Sequence, residues 1–481
     1  MTDDATNIIA EPNIERKPLD LCWSDYKWPL LFLLSMSMMG LRFPLGYLLV
    51  PIILISRFRA DRYDFMIMIT LFFGGYGLIG ETTLPVKTSD IALAVSVFGV
   101  IVFKKSPLVK KMLGLLLCYA VILFFLATFS EESMMIQIRT IRGYLFFIYF
   151  IVPLMIFAGR RFDIISFFGH LAPYLIIICC FYVIDGFIIS GHILLPNVHI
   201  WEDHFSYFYS PTIYGIGFFP RIYPQAMFIL LLGMYPFARV YKLGGFHWVV
   251  MILALCATRT FSIISGLIAT YVMSMPNFKK VIKYGIFGVL FIGFLYVIDI
   301  FLPKNAETGE STMRIYSSLQ QVFNVGNIQD DEDLAELGTG RMAQALPKLE
   351  LVSEMNKEAV GLGFLHEELT TNPKYIIDNL YYTDTSRSEE VATGVEIEPV
   401  QVYLSCGYIG LTVHLLFLFL TYLFIKKYRY SYYYLSVLFG FFWIGLAGFA
   451  PLNSHLGLIL CSLAFSVVVL DEKSRSEVVT E

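Results

Sequence analysis

Charge is scarce in this sequence. Asp, Glu, Lys and Arg make up 15% of its 481 residues, whereas an ordinary soluble domain carries about 25%. Hydrophobic residues make up 57% and the mean hydropathy is +0.66. A water-soluble globule, a disordered chain and a collagen-like chain are excluded. Cysteine is scarce as well. Of Cys22, Cys118, Cys179, Cys180, Cys256, Cys406 and Cys461, all but Cys22 lie in apolar runs or at their edges. None has metal-ligand spacing with histidine, and the long polar segment contains none, which excludes a disulfide scaffold. The short alternating segments of an outer-membrane β-barrel are missing too. The first 27 residues are polar and mixed in charge, so no cleavable signal peptide is expected.

What the chain has instead is a series of continuous apolar runs. They predict an all-α polytopic membrane protein with about 12–14 transmembrane helices and one large, partly helical extracytoplasmic loop. The spans fall near 28–41, 44–57, 63–80, 89–103, 111–128, 142–158, 164–189, 225–242, 246–258, 260–275, 281–301, 401–425, 431–448 and 451–470. Residues 28–57 form either one long tilted helix or a hairpin turning at Leu41-Arg42-Phe43-Pro44. The organisation is a cytoplasmic tail (1–27), transmembrane helices (28–301) with an aromatic outward loop at 190–224, the large loop (302–400), C-terminal transmembrane helices (401–470) and a cytoplasmic tail (471–481).

Basic residues orient this bundle, because Lys and Arg near span ends resist translocation. One set of connections, which includes Arg57, Lys104, Arg160, Lys242, Lys279 and Lys426, holds 19 Lys and Arg. The opposite short connections hold 6. The first set is therefore expected in the cytoplasm. The outward segment 302–400 has a net charge of −11, against +7 for the rest of the chain. Within it, STMRIYSSLQQVF, GRMAQALPKLELVSEM and NPKYIIDNLYY show helical spacing of apolar residues.

The six outward basic residues are Arg42, Lys87, Arg139, Arg142, Arg221 and Arg259. An arginine in or beside hydrocarbon costs roughly 2.5–3.5 kcal/mol at a helix centre unless paired or hydrated. Arg42 reads as an interface anchor. Arg139 and Arg142 read as one anchor and one functional group, with either order open. The group as a whole is either a set of anchors or a cationic cluster that binds an anionic headgroup, since guanidinium forks match phosphate oxygens bidentately. His192, His199 and His204 lack the i, i+4 spacing of a helical metal site and read as loop residues. His414 lies inside a span, where bonding to a neighbouring helix explains it.

Three stretches resemble the O-antigen ligase/polymerase family of bacterial integral membrane glycosyltransferases. CATRTFSIISGLIATYVMS carries Arg259 at the start of a span. GTGRMAQALPKLELVSEMNKEAVGLGF carries Gly338, Gly340, Arg341, Gly361 and Gly363. EIEPVQVYLSCGYIGLTVHLLFLFL carries Gly407 and Gly410 at the entry to the span after the large loop. FFPRIYPQAMF, with Arg221, is similar to the family's earlier outward loop. Where family members often have His-Asn near the end of the large loop, this chain has Glu396.

The resemblance implies an undecaprenyl-diphosphate-linked glycan donor, a glycan acceptor, a lipid environment and a chain-length regulator as a further partner, with no nucleic acid, cofactor or metal. It implies residence in the bacterial cytoplasmic (inner) membrane. An acceptor hydroxyl attacks the anomeric carbon and lipid diphosphate leaves. Arg139 or Arg142, Arg221 and Arg259 would hold the diphosphate, Arg341 would orient donor or acceptor, and His366, Glu396 or Glu398 would take the proton. A polymerase of O-antigen, capsule or exopolysaccharide repeats is the first reading. A ligase transferring glycan to lipid A–core is its nearest alternative. A lipid-linked oligosaccharide flippase is the alternative of another class, with Asp185 and Asp299 near span ends rather than at midplane arguing against it.

Overall fold

The computed structural model describes residues 17–18, 21–75, 87–103, 105–185, 193–196, 199–205, 220–223, 241–242, 244–256, 341–378, 389–395, 398–428 and 455–480, with single positions at 283, 286, 290, 293, 297, 434, 437 and 438. These residues are mostly helical. Four helices among them are long and apolar enough to cross a membrane: Pro107–Ala127, Met134–Ile156, Ile164–Val183 and Glu398–Lys426. The protein is a helical membrane protein.

The chain opens with α1 (Trp23–Gly40) and α2 (Pro44–Ala60). They form the hairpin, not the single long helix. The turn needs Arg42 in the left-handed region, at φ 64°, and Pro44 starts α2 where its missing N–H costs nothing. Gly46 lets the two helices touch, because a Cβ there would lie 2.4 Å from the Met39 nitrogen. Next come α3 (Arg62–Gly74), α4 (Thr88–Phe103) and α5 (Pro107–Ala127).

The following span begins earlier than its apolar run, at α6 (Met134–Leu145), and continues through a 3₁₀ stretch at Phe146–Phe150 into α7 (Ile151–Ile156). A mid-helix 3₁₀ stretch leaves its carbonyls poorly satisfied. Ser462 and Ser466, one turn apart on the C-terminal helix, donate to the Phe147 and Phe150 carbonyls at 2.8 and 2.7 Å. Hydroxyls of this kind join helices where water cannot. Two further helices are α8 (Ile164–Val183) and α9 (Gly245–Cys256).

Following the described helices end to end separates two faces. At one, Asp61 caps α3, Asp163 caps α8, the Asp163 N–H donates to the Tyr63 hydroxyl, His170 Nε2 lies 2.9 Å from Asp61, and the Phe162 N–H donates to Ser474. The 57–62, 158–163 and C-terminal tail segments, all in the basic-rich set, thus share one end of the bundle. At the opposite end lie residues 128–137 and the segment made of 341–378 and 389–395.

That segment folds around its own small core of Ala345, Val352, Leu362, Leu365, Tyr375, Val391 and Val395. It contains α10 (Arg341–Glu354), where a helix is expected. NPKYIIDNLYY differs from its helical spacing. Asn372 caps a single 3₁₀ turn at Pro373–Tyr375, and Ile376–Asp378 then pairs antiparallel with Glu389–Val391. Adjacent β-branched Ile376 and Ile377 favour the strand, and the pairing partner is too distant in sequence for local periodicity to register. The other expected loop helix, STMRIYSSLQQVF, lies outside the described residues. In the aromatic loop, His199–Phe205 pairs antiparallel with Pro220–Tyr223.

Among the described residues, α11 (Glu398–Lys426) and α12 (His455–Thr480) are the last two helices given in full.

Candidate functional site

The site begins with a break in α11. Gly407 has φ 62° and ψ −164°, a conformation close to glycine-only. The break frees backbone groups inside the helix, and residues 358–363 satisfy them. The Leu362 and Gly363 N–H groups donate to the Leu404 and Ser405 carbonyls at 2.7 and 3.0 Å. In return the Tyr408 and Ile409 N–H groups donate to the Glu358 and Ala359 carbonyls at 2.8 and 3.2 Å.

Contact this close requires glycine on both sides. A Cβ on Gly407 would lie 2.3 Å from the Ala359 carbonyl carbon, and one on Gly361 (φ 76°) 2.4 Å from the Cys406 nitrogen. Gly363 (φ 101°) faces Ser130 and Gln137, where a Cβ would lie 2.2 Å from the Ser130 hydroxyl. Gly361, Gly363 and Gly407, quoted from the sequence in separate stretches, therefore form one joint. It ties the 341–395 segment to α11 and to the connection after α5.

The break also decides where Glu398 sits. In a straight helix, residues sixteen apart are separated by about 24 Å, so Glu398 and His414 would be far apart. Here Glu398 lies within electrostatic reach of Tyr119 on α5, whose hydroxyl bonds His414 Nδ1 at 2.8 Å. Tyr119 stacks on Phe417 with centroids 4.4 Å apart. Tyr144 on α6 is also within reach of Glu398, and its ring meets Tyr119, Phe364 and His414 edge-on. Glu398 has no exposed surface, and among the described residues neither its carboxylate oxygens nor the Tyr144 hydroxyl have a hydrogen-bond partner. Next to this cluster, Gln401 fixes the entry to α11. It accepts from the Val395 N–H and donates to Thr393 and Ser405.

No protein-family model matches the chain, and no curated protein matches its sequence. The site therefore rests on its own geometry and on the residue types present.

Of the expected proton acceptors among the described residues, Glu398 is enclosed. His366 is half-buried in a turn. Its N–H donates to Thr370, and its Nδ1 accepts from the Glu368 N–H at 3.2 Å. Glu396 lies outside the described residues, as do Arg259, His192 and Asp299. Arg221 lies on the strand opposite Trp201, and Arg341 opens α10.

The two α6 arginines differ. Arg142 pairs with Asp90 at the start of α4 (3.0 Å), and both side chains are about one-quarter exposed. Arg139 is exposed and has no acidic partner among the described residues. Asp90 was not singled out from the sequence, because hydropathy places it merely at the edge of a span. If the Arg142–Asp90 pair is an anchor, Arg142→Gln and Asp90→Asn should each lower stability by about 1 kcal/mol or less. The double variant should then lose no more than the worse single one. Thermal unfolding of the four proteins measures this, and strictly additive losses would contradict a shared contact.

Glu131 lies in the connection between α5 and α6. It pairs with Lys374 at 2.6 Å, and Ser130, Lys357 and Tyr375 reinforce the same seam. The Lys374 ammonium, by hydrogen bond and by charge, holds the Glu131 carboxyl below the usual carboxylate range. A depressed carboxyl contributes at pH values above its unfolded pKa of about 4.3 and loses that contribution as pH falls through its folded value. The pair is fully solvated, so the expected change is a small loosening of this seam under acid. Proteolysis of the 374–378 region across that pH window reads it, and greater protection at low pH would contradict the pairing.

Proposed function

We propose that the chain is a membrane glycosyltransferase that polymerises undecaprenyl-diphosphate-linked oligosaccharide repeat units at the outer face of the cytoplasmic membrane. The observation that carries this reading is Glu398. It is an enclosed carboxyl group with no hydrogen-bond partner among the described residues, at the point where a folded polar segment meets the start of a span. A general base for an acceptor hydroxyl needs that combination of an available lone pair and shelter from bulk water.

In the proposed step, the acceptor oxygen forms a bond to the anomeric carbon of the donor. The bond from that carbon to the diphosphate oxygen breaks, the diphosphate keeps the electron pair, and the hydroxyl proton passes to Glu398. Exposed Arg139, together with Arg221, Arg259 and Arg341, supplies the charge that stabilises the departing diphosphate. Arg142 is already compensated by Asp90 and serves as the anchor of the α6 pair.

The test is the surface polysaccharide of a deletion strain on a gel, complemented with the wild-type chain and with Arg221→Ala and Arg259→Ala. Loss of long chains, leaving single repeat units on the acceptor, supports the polymerase. Long polymer retained on the lipid carrier would replace it with the ligase. Full-length polysaccharide in the deletion strain would sink both.

A further inference from the structure

Residues 360–365 are shared between two cores. Val360 packs against the helical bundle and Phe364 is part of its buried core, whereas Leu362 and Leu365 belong to the small core of the polar segment. Phe364 thus carries an aromatic ring from the polar segment into the bundle. It is 1% exposed, and its ring meets Tyr144 of α6 edge-on, with centroids 6.0 Å apart. Tyr144 in turn meets Tyr119 of α5 and His414 of α11. The ring that covers the meeting point of these helices is therefore not supplied by any of them.

The stretch that carries it is hinged and latched. Gly361 and Gly363, on either side of Leu362, have φ 76° and 101°, where glycine turns without strain. Towards α11, the Leu362 and Gly363 N–H groups donate to the Leu404 and Ser405 carbonyls beside the break. Towards α6, the Ser130 hydroxyl donates to the Leu362 carbonyl at 2.6 Å, and buried Gln137 accepts from the Phe364 N–H at 3.3 Å. The same Gln137 side chain donates to the Glu132 carbonyl at 3.1 Å. Its partners are one donor and one acceptor, so only an amide satisfies both.

Irregular backbone in a span is tolerated where protein buries it or where it lines a water-filled cavity. Gly407 breaks a helix long and apolar enough to be a span, and the break meets either condition. With residues 358–363 in place, its backbone groups pair with protein. With the stretch withdrawn, water reaches the same groups and pairs them instead. Exchanging a protein partner for water changes each bond only modestly, so local opening here does not require the bundle to unfold.

We propose that residues 361–364 are a hinged plug, with Phe364 as its head, Gly361 and Gly363 as its hinges, and Ser130 and Gln137 as its latch. The structure holds it closed. Its withdrawal opens the junction of α5, α6 and α11 to water and small polar solutes from the side of the polar segment, and gives access to Tyr144 and to the Tyr119–His414 pair. The plug does not depend on the reaction proposed above.

The chain carries its own reporters. Cys406 is 0% exposed, and its backbone nitrogen lies 2.4 Å from the position that a Cβ on Gly361 would take, so it sits directly under the plug. Cys179 on α8 and Cys461 on α12 are buried as well, at 0% and 2%, on helices that take no part in the glycine joint. All three are free thiols. The full chain in lipid nanodiscs is treated with a sulfonated maleimide, and modification of each cysteine is followed by mass spectrometry in wild type, Phe364→Ala and Gln137→Leu. In wild type, Cys406 should be modified while Cys179 and Cys461 stay inert. Phe364→Ala should speed modification of Cys406 about tenfold or more, because loss of a buried phenyl ring removes the packing that favours closure. Gln137→Leu should speed it about 2–10-fold, the worth of the latch hydrogen bond. Neither variant should change Cys179 or Cys461. The plug is overturned if Cys406 in wild type is as inert as the two controls, if neither variant speeds its modification, or if all three cysteines speed up together in both variants, the mark of general loosening.

Discussion

Replacing Glu398 by Gln is expected to cut polymer formation by about 10²–10⁴-fold, the usual contribution of a positioned base, without unfolding the protein. Two effects separate here. The side chain is fully enclosed and has no hydrogen-bond partner among the described residues, so the near-isosteric amide removes no native contact. Most buried substitutions destabilise, and this one should leave the unfolding temperature equal to or higher than that of wild type. Activity should fall because Gln cannot accept the proton. Asp at the same position keeps the charge but shortens the reach by about one methylene, and should retain a small residual rate. The measurements are polymer length on a gel in the complemented deletion strain and thermal unfolding of the purified variants. Normal polymer with Glu398→Gln would remove Glu398 from the mechanism. Collapse of the fold in both variants would mean that the carboxylate has a structural partner.

The second large effect is at the glycine joint. Gly407→Val should destabilise by about 3 kcal/mol or more, because two costs combine there. Valine is strained at φ 62° with ψ −164°, which alone costs of order 1–3 kcal/mol. Its Cβ would also fall 2.3 Å from the Ala359 carbonyl carbon, a backbone atom that cannot rotate away. The segment would have to separate from α11 and leave the Leu404 and Ser405 carbonyls and the Tyr408 and Ile409 N–H groups without partners, each a further loss. Gly361→Ala should act in the same direction, since its Cβ meets the Cys406 nitrogen at 2.4 Å. Gly114, with nothing near its Cβ position, is the control, and Ala there should be neutral or slightly stabilising in a helix. Thermal unfolding and protease sensitivity of the 341–378 segment report the outcome. A Gly407→Val chain with wild-type melting and an intact segment would mean that the helix is not broken at this residue.

Much of the architecture was legible in the residues. Low charge and long apolar runs point to a helical bundle in lipid, because a bilayer offers no other solution for backbone polar groups over such runs. The Leu41–Pro44 turn was visible as one of two alternatives, and α10 was visible in its apolar spacing. The basic-rich connections that the described helices bring to one end, 57–62, 158–163 and the C-terminal tail, are among those the charge count groups together. The site was legible only in pieces. Glu398, Gly361, Gly363, Gly407 and Gly410 were each picked out, but as separate features along a line.

Which pieces meet was decided by the path of the chain. Hydropathy and spacing are local sums. They do not register the Arg142–Asp90 pair, and they anticipate that His414 bonds a neighbouring helix without naming Tyr119, because these partners lie 52 and 295 residues apart. NPKYIIDNLYY shows the same limit, because its strand exists only through pairing with Glu389–Val391. Sequence alone determined that the protein lives in a membrane, which connections are basic, and that a carboxylate precedes the span after the large polar segment. Tertiary structure alone decided that this carboxyl group is fully enclosed, with no hydrogen-bond partner among the described residues. Gly407 kinks the helix, and only a chain lacking a Cβ at that point and at Gly361 can bring α11 and residues 358–363 this close together.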